Sequence, residues 1–339
     1  MGPLVKLYRT ARLLTQRQLA EAAGVSLGTL RDLEQGRLAN ARWETVESVA
    51  VALDIDPRQR AALMEACRAE SPALAASSAE DHDSILAPVR VEVLGPLIAR
   101  RYGSAVPLGS LRQRAVLGLL ALHGGVRLHR DAIIDALWGA KPPPSAVTQV
   151  HGYVSRLRRL LAPEHDDPVG ADLVATVGAG YRLQARPGQL DLASFQQTLD
   201  RADRLAAQNR LEQACDLYEG ALGLWRGDVL ADIDLLREHP AATELVHRRS
   251  DAVVRFGDLA LRTGAPHRAL PSLRELCARE SFNEAAHAYL MVALAGTGQQ
   301  ASALDAFARL RRRLIDELGI NPGPQLMAAH GHVLRQHAV

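Results

Sequence analysis

AVTQVHGYVSRLRRLL, residues 146–161, carries the strongest structural signal in this chain of 339 residues. At a helical period of about 3.6 residues, one stripe of the segment is apolar and the opposite face is polar. The apolar stripe consists of Val147, Val150, Val154, Leu157 and Leu161. The opposite face consists of Thr148, Gln149, Gly152, Ser155, Arg156 and Arg159. No acidic residue stands on that face, although ordinary solvent-exposed faces mix both signs of charge.

This polar face has the residue types that hydrogen-bond to base edges in duplex DNA. Arg donates two bonds to guanine O6 and N7, and the amide of Gln pairs with adenine N6 and N7. Gly152 lowers helix propensity, but it lets the helix approach a crowded surface such as the floor of a groove. His151 and Arg158 flank the face and are candidates for phosphate contacts. The alternative is a solvated polar face, which is common on amphipathic helices.

The segments around this helix predict a winged-helix arrangement. Residues 89–108 alternate like short strands and are broken at Gly95-Pro96 and Gly103. Helical patterns cover Leu111–His123 and Arg130–Trp138, and residues 173–183, LVATVGAGYRL, read as two strands around a Gly-x-Gly turn. The predicted order is therefore strands, three helices and a hairpin.

A hairpin beside a groove-bound helix is a wing, which contacts the minor groove or the DNA backbone. Here the contacts would come from Arg182 and from the backbone amides of the turn that begins at Gly178. Arg112 and Arg114 open the first of the three helices, where free amides also favour a phosphate. A nucleotide-binding loop is the alternative for the turn, but a third glycine and a following helix are missing.

Charge is distributed unevenly along the chain, although the formal net charge is only +2. Residues 90–188 carry 13 basic and 7 acidic side chains, whereas residues 189–339 carry 17 and 19. The middle segment is therefore the candidate for an anionic partner, with a merely soluble surface as the alternative. Residues 71–88, SPALAASSAEDHDSILAP, are small and acidic and predict a linker.

From Asp191 onwards the pattern is helical, and a spacing of about 35 residues per helix pair is typical of tetratricopeptide-like arrays. Arrays of this kind usually hold a partner in a concave face. The expected breaks fall at Gln208-Asn209, Gly227, Gly264–Pro266, Gly296–Gly298 and Asn321–Gly323.

Residues 15–36, TQRQLAEAAGVSLGTLRDLEQG, have helix-turn-helix spacing, with N-caps at Thr15 and Ser26 and a turn at Gly24. This segment resembles the lambda-repressor-like (XRE) family over about residues 4–58. The resemblance implies DNA contacts by Gln16, Arg17, Leu27, Gly28, Thr29 and Arg31. Leu27 and Gly28 have no side-chain donors, and Asp32 and Glu34 are expected to repel phosphate. Docking to a protein is therefore the alternative role.

A second resemblance covers residues 89–337. It is carried by LGPL (94–97), RQRAVLGLLALHGG (112–125), RDAIIDALWG (130–139), PPPSA (142–146), VHGYVSRLRRLL (150–161), GYRL (180–183), LDLASFQ (190–196), ALGLWRGDVLAD (221–232) and ALDAFARLRRRLIDELGINPGPQL (303–326). These motifs look like the OmpR-like winged helix and the bacterial transcriptional activator domain of the SARP/AfsR family, the Streptomyces antibiotic regulatory proteins. The resemblance implies activation of secondary-metabolite genes, binding to direct repeats near a promoter, and recruitment of RNA polymerase through its sigma factor. It also implies two copies on tandem sites.

Several function classes are disfavoured. The chain has two lysines, Lys6 and Lys141, and neither follows a glycine, so a Walker A phosphate loop is ruled out. Motifs for a zinc protease or a serine hydrolase are missing, and the three cysteines stand far apart. No apolar run reaches the length of a membrane span. We expect a cytoplasmic, nucleoid-associated protein that is not an enzyme and has no cofactor, metal site or membrane partner.

The sequence therefore predicts a mainly α protein with an XRE-type domain at 1–70, a linker at 71–88, a winged helix at 89–188 and a tetratricopeptide-like activator domain at 189–339. The expected partners are double-stranded DNA with direct repeats and RNA polymerase, with a homodimer forming on DNA. A scaffold or repressor whose helical array binds a regulator or ligand is the alternative. The candidate DNA-binding residues are Thr148, Gln149, His151, Gly152, Ser155, Arg156, Arg158, Arg159, Arg112, Arg114, Gly178, Arg182, Gln16, Arg17, Thr29 and Arg31.

Overall fold

The structure is a computed structural model that describes residues 2–12, 14–34, 43–53, 89–161 and 173–335. The expected linker at 71–88 lies outside the described residues. The chain divides into two compact units, Met1–Leu86 and Ala87–Val339. The fold is mainly α, as the sequence predicts, with two small antiparallel sheets in the second unit.

The first unit contains the expected helix-turn-helix. Thr15 caps the second helix through a capping box with Gln18, and Ser26 Oγ accepts a hydrogen bond from the backbone N–H of Thr29. Gly24 has a φ of +66°, a conformation that favours glycine and that ends the second helix. The helices are α1 (Gly2–Ala11), α2 (Gln16–Ala22), α3 (Leu27–Glu34) and α4 (Trp43–Ala52). Their core includes Val5, Leu19, Ala20, Leu30, Leu33 and Val49.

Glu34 corrects one expectation about this unit, because its carboxylate is buried and does not repel phosphate from the surface. Arg9 Nε lies 2.5 Å from Glu34 Oε1, and Gln16 Nε2 donates to Glu34 Oε2 at 2.6 Å. Burial alone would raise the pKa of Glu34, but the bonds from Arg9 and Gln16 and the charge of Arg9 hold that pKa below its ordinary value. The carboxylate therefore fastens α1 and α2 to α3.

The second unit opens with the winged-helix part. Its first sheet has the strand order β1-β2-β3, and its second sheet has the order β4-β6-β5. The strands are β1 (Val89–Glu92), β2 (Ile98–Arg101), β3 (Ser104–Ala105), β4 (Leu128–His129), β5 (Val174–Val177) and β6 (Gly180–Leu183). The helices are α5 (Leu111–Leu122), α6 (Arg130–Trp138) and α7 (Ala146–Leu161). The expected bounds of α6 and α7 and the hairpin at 173–183 are confirmed.

Two details of this part differ from the expectation. Strand β4 was not expected; it pairs with β6 so closely that a Cβ on Gly180 would overlap the carbonyl oxygen of Leu128. Val147, expected on the buried stripe of α7, is 37% exposed, whereas Val150, Val154 and Leu157 are buried. Val147 lies in the first turn of α7, and there the apolar stripe extends beyond the core.

The helical array follows without a break in the core. Its helices are α8 (Asp191–Ala207), α9 (Leu211–Gly223), α10 (Pro240–Arg262), α11 (Pro266–Arg279), α12 (Glu284–Gly296), α13 (Gln300–Leu318) and α14 (Pro324–Arg335), with a short 3-10 helix at Asp234–Leu236. The expected break at Gly227 is part of a longer segment, residues 224–239, that packs on the winged-helix part. There the N–H of Arg226 donates to Leu94 O at 2.7 Å, and Asp232 Oδ1 accepts from the N–H of Leu97 at 2.8 Å.

Asp191 fastens the two parts of the second unit to each other. Its side chain is 2% exposed, and its carboxylate accepts hydrogen bonds from the backbone N–H groups of Val93 and Leu94 at 2.8 and 3.0 Å. Arg226 Nη2 lies 3.6 Å from the same carboxylate. One apolar core runs from Val89 through the array to Val333. The expected domains 89–188 and 189–339 thus form one folded unit.

Replacing Asp191 with Ala is expected to lower the free energy of unfolding by about 3 kcal/mol, because the buried N–H groups of Val93, Leu94 and Leu192 lose their acceptor. Urea unfolding of the full chain, followed by circular dichroism, measures the change. Asp200→Ala is the matched control, since Asp200 forms a surface ion pair with Arg248 and should change stability by less than about 1 kcal/mol. Equal effects of the two substitutions would contradict the role assigned to Asp191.

Candidate nucleic-acid interface

The polar face of α7 lies on the surface of the second unit. Thr148, Ser155, Arg156 and Arg159 are exposed, and so is the flanking His151. Gln149 and Gly152, nearer the helix packing, are half-buried. The face thus offers guanidinium, amide and hydroxyl donors to one side, with no carboxylate of α7 among them.

Arg156 is held in place by a buried partner that the sequence did not single out. Its Nε donates to Gln113 Oε1 at 2.8 Å, and its guanidinium lies 5.2 Å from the centre of the Tyr153 ring. The two terminal amino groups lie near Gly152, where a Cβ would stand 3.6 Å from Nη1. The two terminal amino groups, which in any arginine can pair with guanine, therefore lie over the glycine in the middle of the face.

Arg158 contacts the hairpin. Its Nε donates to Val174 O at 2.7 Å, and its Nη2 donates to Thr176 Oγ1 at 2.6 Å. These bonds tie α7 to β5 and set the position of the hairpin against the helix. The phosphate contact expected of Arg158 stays a prediction, and fewer of its N–H groups remain for that contact.

The two arginines at the start of α5 have different environments. Arg112 is exposed, with its guanidinium 5.5 Å from the centre of the Trp138 ring. Arg114 forms an ion pair with Asp232, which belongs to the segment that joins the array to the winged-helix part. Arg112 thus retains the geometry expected of a phosphate contact, whereas the charge of Arg114 is compensated inside the unit. Ser110 caps the helix, with its Oγ 3.4 Å from the backbone N of Gln113.

The turn of the wing has the expected glycine conformation and an unexpected arginine beside it. Gly178 is exposed and has a φ of +57°. Arg182 lies half-buried on β6, opposite Ala175. The exposed Arg127 approaches the turn from the start of β4, with its Nη1 3.4 Å from where a Cβ on Gly178 would stand. Arg127 therefore supplies a basic group at the wing, and only the pairing of β4 with β6 reveals it.

In the first unit, the residues implied by the XRE resemblance divide into exposed and engaged side chains. Arg17 and Arg31 are exposed. The Gln16 amide is held by Glu34, and the Thr29 hydroxyl lies 2.8 Å from that of Ser26. Contact of the six implied residues with DNA stays a prediction, and the side chains of Gln16 and Thr29 already have a structural role.

The described residues contain no cluster of three or more His, Cys, Asp or Glu side chains that is suited to hold a metal ion. Among the same residues, no helix combines the length and apolarity needed to cross a membrane.

Three family models match successive parts of the chain. A bacterial transcriptional activator domain matches residues 190–334, the C-terminal domain of transcriptional regulatory proteins matches residues 105–183, and a helix-turn-helix domain matches residues 1–63.

Three known regulatory proteins match 72–73% of this chain. Regulatory protein DnrI of Streptomyces peucetius is 32% identical over 252 residues, which are 73% of this chain and 92% of DnrI. Transcriptional regulatory protein EmbR of Mycobacterium tuberculosis is 35% identical over 72% of this chain and 63% of EmbR. Regulatory protein AfsR of Streptomyces coelicolor is 35% identical over 73% of this chain, but the match spans only 24% of AfsR.

A solved structure supports the architecture. Mycobacterium tuberculosis EmbR in complex with a low affinity phosphopeptide aligns with a TM-score of 0.66 and 33% identity. The alignment covers 74% of this chain and 66% of the EmbR chain.

Gly152→Ala is expected to weaken DNA binding while stabilising the fold. The added methyl meets Arg156 only at ordinary contact distance, and Ala improves helix propensity by about 1 kcal/mol. If the middle of α7 approaches the groove floor, the same methyl separates protein from bases and lowers affinity about tenfold. Gel-shift titration and urea unfolding measure the two effects.

Gly220→Ala is the matched control, because Gly220 is an exposed helical glycine of α9 with open space around it. It should add stability and leave DNA affinity unchanged. Unchanged affinity in Gly152→Ala as well would show that the helix does not approach DNA at this point.

Proposed function

The chain belongs to the SARP/AfsR family of transcriptional regulators, and from that premise we propose that it activates secondary-metabolite genes by binding direct repeats at their promoters. The family consists of DNA-binding regulators. Under the proposal, sequence is read by α7 in the major groove. Its partner is RNA polymerase, recruited through the sigma factor, and it works in the cytoplasm, at the nucleoid.

The observation that carries the proposal is the acid-free polar face of α7. Arg156 and Arg159 are exposed on that face. Gln149 offers an amide about two helical turns before Arg156. Arg selects guanine and Gln selects adenine when their donors and acceptors face the base edges. The face therefore has the chemistry for direct readout, which phosphate contacts alone cannot provide.

Contacts to the DNA backbone would come from both sides of α7. Arg112 stands in the first turn of α5, and a helix N-terminus favours a phosphate. Arg127 and the Gly178 turn stand at the wing. These groups flank the reading face, so they would fix the register of the helix on the duplex.

The connection between the array and the winged-helix part supports a role in activation. The bonds of Asp191 to Val93 and Leu94 and the ion pair of Arg114 with Asp232 join the two parts. A polymerase subunit bound to the array would thus be held at a defined position relative to the promoter. Two copies on tandem repeats would present two such arrays side by side.

Arg156→Ala is expected to lower affinity for the preferred sequence by about 1–3 kcal/mol and to relax the preference at one base position. The measurement is selection from a double-stranded library with a random central stretch, followed by titration of the enriched duplex. Arg312→Ala, an exposed arginine of α13, is the matched control and should leave affinity and preference as they are. An unchanged base profile for Arg156→Ala removes this residue from the reading set.

Binding to the enriched duplex is expected to weaken steeply with salt, because each neutralised phosphate releases counterions.

In transcription with purified RNA polymerase holoenzyme, the chain should raise transcript yield several-fold from a template that carries the enriched repeats. The Arg156→Ala variant should not do so at the same concentration. A lower yield in the presence of the unmodified chain would identify a repressor instead.

A further inference from the structure

We infer that Gln113 and Tyr153 are positioning residues that hold Arg156 and Gln149 ready for base recognition before DNA binds. The inference rests on the proposed function, since it concerns the same reading face. Neither residue belongs to the polar face of α7. Gln113 lies on α5, and Tyr153 lies at the edge of the buried stripe of α7.

Gln113 is a buried amide whose orientation is fixed at both ends. Its side chain amide donates from Nε2 to Leu108 O at 2.9 Å and accepts from Arg156 Nε at 2.8 Å. The residue is 3% exposed, so water does not compete for these bonds. Gly109 has a φ of +80°, and a Cβ there would stand 3.2 Å from Gln113 Nε2, so the loop leaves room for the amide.

Arg156 gains a defined orientation from this contact. Its Nε is occupied, and its two terminal amino groups remain as the pair that matches guanine O6 and N7. The ring of Tyr153 supports the guanidinium, with Arg156 Cζ 5.2 Å from the ring centre. A flexible arginine would have to be ordered on binding, whereas this one is ordered in the free protein.

The same tyrosine orients Gln149. Tyr153 Oη donates to Gln149 Oε1 at 3.2 Å, and Gln149 Nε2 donates to Ser145 Oγ at 2.9 Å. A primary amide has two N–H groups and two lone pairs, so one of each remains for adenine. These two hydrogen bonds also fix the orientation of the Gln149 amide, with Nε2 towards Ser145 and Oε1 towards Tyr153.

These contacts form one chain from Ser145 to Leu108, and Tyr153 touches both reading side chains. Gln149 and Arg156 are seven residues apart, which is about 10.5 Å along a helix. They therefore address different base pairs. The inference predicts that Gln113 controls discrimination at the position read by Arg156, and that the Tyr153 hydroxyl controls it at the position read by Gln149.

The test is selection from the same random duplex library with the full chain and with Gln113→Met and Tyr153→Phe. Arg156→Ala and Gln149→Ala identify the two base positions by the preference that each removes. Gln113→Met should reduce preference at the Arg156 position about 3- to 10-fold, the cost of ordering one long side chain on binding. Tyr153→Phe, which retains the ring beneath Arg156, should reduce preference only at the Gln149 position.

A third variant separates positioning from folding. Gln113→Glu keeps an acceptor for Arg156 Nε but removes the bond to Leu108 O, so it should restore the preference while losing fold stability like Gln113→Met. Affinity for a non-selected duplex and its salt dependence should stay unchanged in the two charge-neutral variants, Gln113→Met and Tyr153→Phe, because both quantities reflect phosphate contacts. Gln300→Met and Tyr289→Phe, both in the array, are the matched controls, because the Gln300 amide donates to Val333 O and the Tyr289 hydroxyl donates to Asp258.

The result that overturns the inference is a full base preference in Gln113→Met and Tyr153→Phe while Arg156→Ala and Gln149→Ala still lose theirs. Equal loss of preference in Gln113→Met and Gln113→Glu also overturns it, because the role of Gln113 is then structural. If Arg156→Ala and Gln149→Ala change no position, the proposed reading set itself fails, and the two failures are thus distinct.

Discussion

The structure of the second unit depends on one buried carboxylate. Asp191 accepts hydrogen bonds from the amides of Val93 and Leu94, so the first residue of the array is bonded to the segment that follows β1 in the winged-helix part. A carboxylate that is 2% exposed is tolerable only because N–H groups and Arg226 surround it. Since the core is also continuous across this junction, removing residues 189–339 would expose the first sheet and α5. The array is thus part of the fold that presents α7, the helix proposed to read DNA, and point variants are better probes of the array's role than truncation.

The proposed reading face of α7 has two features: it carries no acidic side chain, and two of its polar side chains are held in defined orientations. The outer side of α7 has no acidic side chain of its own to repel phosphates, and Gly152 removes bulk at its centre. Gln113 and Tyr153 then limit the freedom of the two side chains that match guanine and adenine. Preorganisation of this kind lowers the entropy lost on binding, and it acts on specific recognition more than on attraction to the backbone.

Much of the fold was predictable because local signals agree with tertiary contacts. The ends of α6 and α7 follow from Pro and Gly breaks, and the turn at Gly178 follows from the Gly-x-Gly spacing. Strand β4 was missed because two residues carry no periodicity, and its existence depends on pairing with β6. The partners of Arg114 and Glu34 were missed for a related reason. Asp232 lies 118 positions from Arg114, and no local pattern reports a contact over such a separation. Arg127 belongs to the same class, since only the folded hairpin brings it to the wing.

The most direct test of the central claim is photo-crosslinking from the outer face of α7 to the enriched duplex. Ser155→Cys, in a Cys67→Ser background, carries an azidophenacyl probe on that face, and Cys215 and Cys277 are buried. Ser302→Cys on α13 serves as the exposed comparison site. The account predicts cross-links from position 155 to bases within the preferred sequence and none from position 302. Cross-links from position 302 alone, or equal background yields from both positions, would contradict it.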